Sequence, residues 1–206
     1  NWLPYSWSIN NVAFGEVMHT ALAYFQAGRP EEAYRLMKSS FLDCMYLGNS
    51  PGNLGQVSFY DAARGECYRD FGDPIGVASR LLVQGLYGIL PDVLNGKTVI
   101  RPGFPAGWLK ASISLPDITY HFVRENDTDI YRIEQRFKAP LALTLQVNVG
   151  RERIHSVKVN GKEADWSFAE AASGYPVVVI TASSAQKAIV EIVWKGNCLN
   201  PVLPEI

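Results

Sequence analysis

The sequence predicts an α+β multidomain chain in which helices come first and an antiparallel β-sandwich follows. Over residues 14–45 and 74–90 the apolar residues recur with the helical period of about 3.6, and from Lys97 onward they alternate from one residue to the next. Between these parts lies PDVLNGKTVIRPGFPAGW, whose prolines and glycines are typical of a connection between domains. We therefore expect a helical domain over residues 1–95 and a β-sandwich domain over residues 96–206.

The first two predicted helices form a hairpin. One of two consecutive asparagines can cap a helix with apolar positions from Phe14 to Phe25, and Gly28 follows where a left-handed residue usually ends a helix. Pro30 then occupies the favoured first-turn position of the second helix. Because only a few residues connect the two helices, we expect them to pack antiparallel.

A third helix has a clear predicted start. Asp73 is expected to cap it, Pro74 takes the first helical position, and IGVASRLLVQGLYGIL continues until Pro91 stops it. Apolar residues occur nearly all round this helix, so it should have neighbours on every side, and its three glycines would permit close approach. Two partner helices cannot surround it, which suggests that further helices lie outside this chain.

The second half of the chain predicts short strands separated by turns. Asn160-Gly161 after HSVKV is the strongest hairpin signal, and Glu125 to Asp129 is a second polar turn. The spacing of the strands is typical of an antiparallel sandwich. The predicted strands are Ala111 to Ser114, Ile118 to Arg124, Ile130 to Phe137, Leu141 to Val149, His155 to Val159, Val177 to Thr181 and Ala188 to Trp194.

The connection from Asn49 to Asp73 holds the candidate catalytic residue. It shows neither a helical period nor a strand alternation, and irregular connections longer than about 12–15 residues are usually functional or disordered. Glu66 lies between Arg64 and Arg69, which can hold its carboxylate ionised and oriented, as a general base requires. The alternative is that these arginines pair with the loop acids only to brace a long connection.

Aromatic and polar residues near this loop suit a neutral, polyhydroxylated ligand. Flat aromatic faces can stack on sugar rings, while amide, carboxylate and guanidinium groups can bond hydroxyls. For each aromatic residue, ordinary core packing is the alternative. The candidate contacts are Tyr5, Trp7, Tyr60, Tyr68 and Trp108 for stacking, and Asn49, Asn53, Gln56, Asp61, Arg64 and Asp70 for hydrogen bonds.

Composition argues against several other classes of partner and site. The net charge is −1, from 19 basic and 20 acidic residues, so no nucleic acid or anionic membrane is expected. No apolar stretch is long enough to span a membrane, and no signal peptide is present, so the protein is cytoplasmic or its targeting segment lies outside this chain. Three scattered cysteines and three scattered histidines predict neither a disulfide framework nor a metal site, and we expect no cofactor.

Two stretches carry a family resemblance. DPIGVASRLLVQGLYGILPD followed by KTVIRPGFPAGWLKASISLPDITYHF resembles the C-terminal end of α/α-toroid glycoside hydrolases, particularly the α-L-rhamnosidase type. The resemblance covers roughly residues 60–125 and implies partial (α/α)6-toroid helices before a capping β-sandwich. Residues 1–59 also resemble toroid helices of a related, uncharacterised bacterial glycosidase family. It implies that the remaining toroid helices come from the same protein or a partner chain, and that the protein is periplasmic or extracellular.

The resemblance also implies an inverting mechanism with a general base before the last toroid helix. The family pattern is like W-E-x-W, and GECYRD places Glu66 at the glutamate, with Gly65 where the first tryptophan would be and Tyr68 at the second aromatic position. The general acid would lie outside this chain. The leading hypothesis is therefore a glycoside hydrolase fragment that cleaves oligo- or polysaccharides. The alternatives are a non-catalytic carbohydrate-binding module and a structural domain that docks onto a partner.

Overall fold

The structure is a computed structural model that describes residues 11–43, 59–61, 66–68, 73–170 and 175–199. The chain forms two compact units, Asn1–Leu86 and Tyr87–Ile206. We call them the first unit and the second unit. The division falls before the predicted boundary between residues 95 and 96, because Ile89–Asp92 pairs as a strand with Lys97–Ile100 in the second unit.

The first unit contains the predicted pair of helices. Both are amphipathic: α1 buries Met18, Leu22 and Phe25 on one face, and α2 begins at Pro30 as predicted. The predicted asparagine cap is wrong, since Asn11 belongs to a strand that directly precedes α1. The elements are β1 (Asn11–Ala13), α1 (Phe14–Gln26), α2 (Pro30–Phe41), β2 (Phe59–Asp61), β3 (Glu66–Tyr68), α3 (Asp73–Arg80) and a π-helical turn (Leu81–Leu86).

The third helix is much shorter than predicted. It begins at Asp73, one residue before Pro74, the predicted first helical residue, but α-helical geometry ends at Arg80 and the π-helical turn ends at Leu86. Gly88 then adopts a φ of 65°, a left-handed conformation that favours glycine and stops the helix. Two of the three glycines permit close approach: an added Cβ would lie 2.7 Å from the Cδ2 atom of Phe25 at Gly85, and would overlap the Arg101 carbonyl at Gly88, whereas Gly76 has open space.

The second unit consists of two sheets that contain 11 strands. The six-stranded sheet has the order β11-β10-β14-β8-β7-β6, and the five-stranded sheet has the order β12-β13-β9-β5-β4. A single 3₁₀ turn, Val93–Asn95, joins β4 to β5. The strands are β4 (Ile89–Asp92), β5 (Lys97–Ile100), β6 (Lys110–Ser114), β7 (Ile118–Glu125), β8 (Thr128–Gln135), β9 (Ala142–Asn148), β10 (Arg151–Val159), β11 (Lys162–Glu163), β12 (Trp166–Phe168), β13 (Val177–Ala182) and β14 (Lys187–Cys198).

Alternate side chains along these strands form the core of the second unit. Each strand of the central pairs turns one face inward, as the period of two requires. Burying one such aliphatic or aromatic side chain stabilises the fold by about 1.5–3 kcal/mol. The buried positions include Tyr120 and Phe122 on β7, Tyr131 and Ile133 on β8, Leu143, Leu145 and Val147 on β9, Val178 and Ile180 on β13, and Val190, Ile192 and Trp194 on β14.

All seven predicted strands overlap observed ones, and the predicted hairpin at Asn160-Gly161 is confirmed. Both turn residues have positive φ, 51° and 77°, as a two-residue type I′ turn requires. The sheets are not purely antiparallel, because β5 and β9 run parallel. The residues from Ile89 to Ile100, predicted as a helix end and a domain connection, form two strands of the sheet instead.

The predicted fold class is wrong. Partial (α/α)6-toroid helices followed by an antiparallel sandwich would require a substantially helical first half, whereas the described residues contain only three short α-helices. Eleven strands in two sheets dominate the structure, and the chain is a small β-rich protein. The error came from IGVASRLLVQGLYGIL, whose last residues satisfy a helical period but leave the helix at Gly88 to start β4.

Candidate functional site

The candidate base lies in a small sheet of the first unit. β1, β2 and β3 form an antiparallel sheet in that order, so the connection predicted to be irregular contains a short hairpin. Its register pairs Asp61 with Glu66, Tyr60 with Cys67 and Phe59 with Tyr68. Backbone pairing therefore brings the candidate base opposite one candidate sugar contact.

Several candidate residues lie outside the described parts of the chain. These are Tyr5 and Trp7 before β1, together with most of the loop. Among the remaining candidates, Asp61 and Tyr60 are in β2, and Glu66 and Tyr68 are in β3. The candidates outside the described residues also include Asn49, Asn53, Gln56, Arg64, Arg69 and Asp70.

Trp108, another candidate for stacking, belongs to an aromatic cluster of the second unit. Its ring stacks on Phe104 with centroids 5.8 Å apart, and Phe104 in turn stacks on Phe122 at 5.1 Å. Tyr87 closes the cluster edge-on to Phe104 and donates a hydrogen bond to the Ser112 carbonyl at 2.6 Å. Burial raises the pKa of the Tyr87 phenol. The contacts of Trp108 with this cluster are therefore those of ordinary core packing, which was the alternative to sugar stacking.

An acidic residue is completely buried in the same unit. Asp129 has no exposed surface and accepts hydrogen bonds from Arg124 Nε at 2.6 Å, Arg124 Nη2 at 2.8 Å and Trp194 Nε1 at 2.9 Å. The hydrogen bond with Asp129 raises the pKa of the Arg124 guanidinium, against the opposing effect of burial. Since the Asp129 carboxylate is fully buried and these three hydrogen bonds satisfy it, we interpret the cluster as structural.

Two large aromatic side chains are exposed on an edge strand. Trp166 and Phe168 of β12 are 40% and 57% exposed, and their rings meet edge to face at 5.3 Å. Among the described residues β12 pairs only with β13. The two side chains lie two residues apart on one strand and therefore on the same face.

The outer face of the six-stranded sheet has a depression with a volume of about 230 Å³. Three neighbouring strands place its residues in register: His121 opposite Arg132, Arg132 opposite Ile189, and Glu134 opposite Lys187. We call this surface the β8 patch. It is lined by Thr119, His121, Arg132, Ile133, Glu134, Lys187, Ala188 and Ile189.

Sequence reasoning missed the β8 patch. HFVRE and IYRIEQ alternate polar and apolar residues in the way any half-exposed strand does, so nothing in the pattern distinguishes these charges from ordinary surface residues. The available signal was the pairing of Arg132 with His121, which requires the register of β7 and β8. That register follows from the turn at Glu125 to Asp129, which was predicted.

The chain matches no protein-family model and no curated protein. Within the described ranges, no three histidine, cysteine, aspartate or glutamate side chains come together in a way that could hold a metal ion. None of the helices in those ranges is long and apolar enough to cross a membrane.

Proposed function

We propose that this chain contributes to a glycoside hydrolase that cleaves oligo- or polysaccharides, with Glu66 as the general base. The observation that carries the proposal is the backbone register of the β2–β3 hairpin, which pairs Glu66 with Asp61. A base that activates water must be held beside groups that position the sugar, and the pairing of the two backbones supports such an arrangement. The proposal does not require a helical toroid.

The chemistry follows from what an inverting mechanism needs. One carboxylate takes a proton from water while a second carboxyl group, about 6.5–9.5 Å away, protonates the leaving oxygen. Glu66 has the first role in this proposal, and the general acid comes from outside this chain. Asp61, Arg64 and Asp70 bond sugar hydroxyls, and Tyr60, Tyr68 and Trp7 offer aromatic faces. A net charge of −1 suits a neutral substrate.

The test is Glu66→Gln in the complete protein, assayed on a panel of nitrophenyl glycosides and oligosaccharides. The amide cannot accept the proton, so we expect kcat to fall by about 100-fold or more. Glu170→Gln is the control, because Glu170 is an exposed carboxylate of the second unit. Proton NMR of the first-formed anomer tests inversion. Unchanged turnover in Glu66→Gln would refute the assignment.

A second candidate function is non-catalytic carbohydrate binding, favoured by the exposed pair Trp166 and Phe168. Sugar rings stack on such faces, and the edge-on geometry offers two differently oriented surfaces. This candidate predicts saccharide binding without hydrolysis, lost in Trp166→Ala and kept in Leu94→Ala, where a residue that is 99% exposed is truncated. Hydrolysis that survives Trp166→Ala and is lost in Glu66→Gln would decide for the enzyme.

A further inference from the structure

The β8 patch contains a cationic side chain that has no partner among the residues that the structure describes. Glu134 already faces two cations, Lys187 Nζ at 3.4 Å and Arg136 Nη1 at 3.8 Å. Arg136 also has a second partner, since its Nη2 atom donates a hydrogen bond to Thr119 Oγ1 at 2.8 Å. Within the described residues, the Arg132 side chain makes no hydrogen bond or ion pair, although it lies at the centre of the patch between β7 and β14.

The shape of the patch limits the size of a ligand. Its volume of about 230 Å³ lies below the range of about 300–1,000 Å³ that is usual for drug-sized ligands, so it suits a molecule of one ring. Ile189, which is 38% exposed, supplies an apolar surface beside Arg132. His121 and Thr119 add hydrogen-bonding groups on the opposite side.

The charges favour a single negative charge on the ligand. A guanidinium fork matches a carboxylate with two parallel hydrogen bonds. A dianion such as phosphate would gain from the same fork but would be repelled by the nearby Glu134 carboxylate. An uncharged sugar would leave Arg132 without an anionic partner.

From this geometry we propose that the β8 patch binds a small carboxylate-bearing ring, the uronic acid class of sugar, with Arg132 as its carboxylate anchor. Ile189 packs against the ring, and His121 and Thr119 bond its hydroxyls. The site belongs to the second unit and does not involve Glu66, so it stands or falls independently of the proposed hydrolase activity.

The test is an NMR titration of the full chain with D-glucuronate, D-glucose and inorganic phosphate as separate probes. We expect saturable shifts of the Thr119, Arg132 and Ile189 amides with glucuronate only. No saturation with glucuronate would overturn the proposal. So would equal binding of glucose, or tighter binding of phosphate.

Variants that are expected to weaken or to strengthen glucuronate binding test the role of each charge. Arg132→Gln should weaken glucuronate binding by about tenfold or more, because it removes a charge-assisted pair. Arg132→Lys should have an intermediate effect, because it keeps the charge but loses the fork. Glu134→Gln should strengthen binding. Arg153→Gln, a change of an exposed arginine on β10 of the same sheet, is the matched control and should change nothing. Equal affinity of wild type and Arg132→Gln would refute the assignment.

Discussion

Removing Arg124 should destabilise the second unit more than removing its partner Asp129. The reason is the difference in burial: the Asp129 side chain is 0% exposed, whereas the Arg124 side chain is 28% exposed. In Arg124→Gln the buried carboxylate loses both hydrogen bonds from the guanidinium and keeps the one from Trp194 Nε1. Breaking a buried pair costs about 3–5 kcal/mol, and we expect this variant near the upper end.

Asp129→Asn should lower the free energy of unfolding by less than Arg124→Gln does, by about 2–3 kcal/mol. The flexible aliphatic part of the Arg124 side chain lets the unpaired guanidinium move towards water. The double variant with Arg124→Gln should be more stable than Arg124→Gln alone, since no isolated charge remains in the core. Asp127→Asn is the matched control. It breaks the Arg151–Asp127 pair, which is nearly as short at 2.7 Å but has side chains 30% and 57% exposed, so it should cost less than about 1 kcal/mol.

The measurement is urea unfolding of each variant, followed by far-ultraviolet circular dichroism and tryptophan fluorescence. The free energies of unfolding are compared among variants that have the same dependence of this free energy on urea concentration. An unchanged dependence indicates that each variant exposes the same amount of surface on unfolding. The burial argument is refuted if Arg124→Gln costs no more than Asp127→Asn. It is also refuted if the effects of the two single variants simply add in the double variant, because a buried pair must show coupling.

Two further stability predictions follow from the second unit. Gly88→Ala should cost about 3 kcal/mol or more, because the added Cβ would overlap a backbone carbonyl. Gly96→Ala is the control: it has a nearly equal φ of 66° but open space around it, and it should cost about 1–2 kcal/mol. Equal losses of stability in thermal unfolding would contradict this prediction. Burial raises the pKa of the Tyr120 and Tyr131 phenols well above 10.0, so their contribution to stability is complete below pH 10 and is lost as the pH rises above it. The free energy of unfolding should fall by about 2.7 kcal/mol per pH unit there, and by half as much in Tyr131→Phe. Ionisation of all 10 tyrosines at 295 nm before unfolding would contradict the assignment.

The sequence predicted individual elements better than their assembly. Period-two alternation marked seven strands, and Asn160-Gly161 marked a turn, because both signals are local. The pairing of β5 with β9 is parallel and joins residues far apart in sequence, so no local pattern contains it. The helical period in the last residues before Pro91 was real but was overridden by pairing of Ile89–Asp92 with β5.

The buried polar residues were beyond sequence reasoning for a similar reason. Gln135 looks like a surface residue at the end of a strand, yet its amide is buried. Its Nε2 atom donates to the Leu141 carbonyl at 2.9 Å, and its Oε1 atom accepts from the Leu141 N–H at 3.1 Å. Asp129 likewise occupies a turn-like position in sequence but an interior one in space. The composition of the loop pointed to Glu66 as the candidate base. Its position opposite Asp61 depends on the register of β2 and β3, which the sequence did not predict.

The place of β14 determines when the six-stranded sheet can form during synthesis. β14 comes last in sequence among the strands of that sheet, yet it lies between β10 and β8. While the chain leaves the ribosome, the β6–β8 meander and the β10–β11 hairpin must wait as separate pieces, each with an unpaired edge. Until Lys187–Cys198 emerges, these edges are open to wrong partners, so nascent chains stalled before that strand should depend most on chaperones.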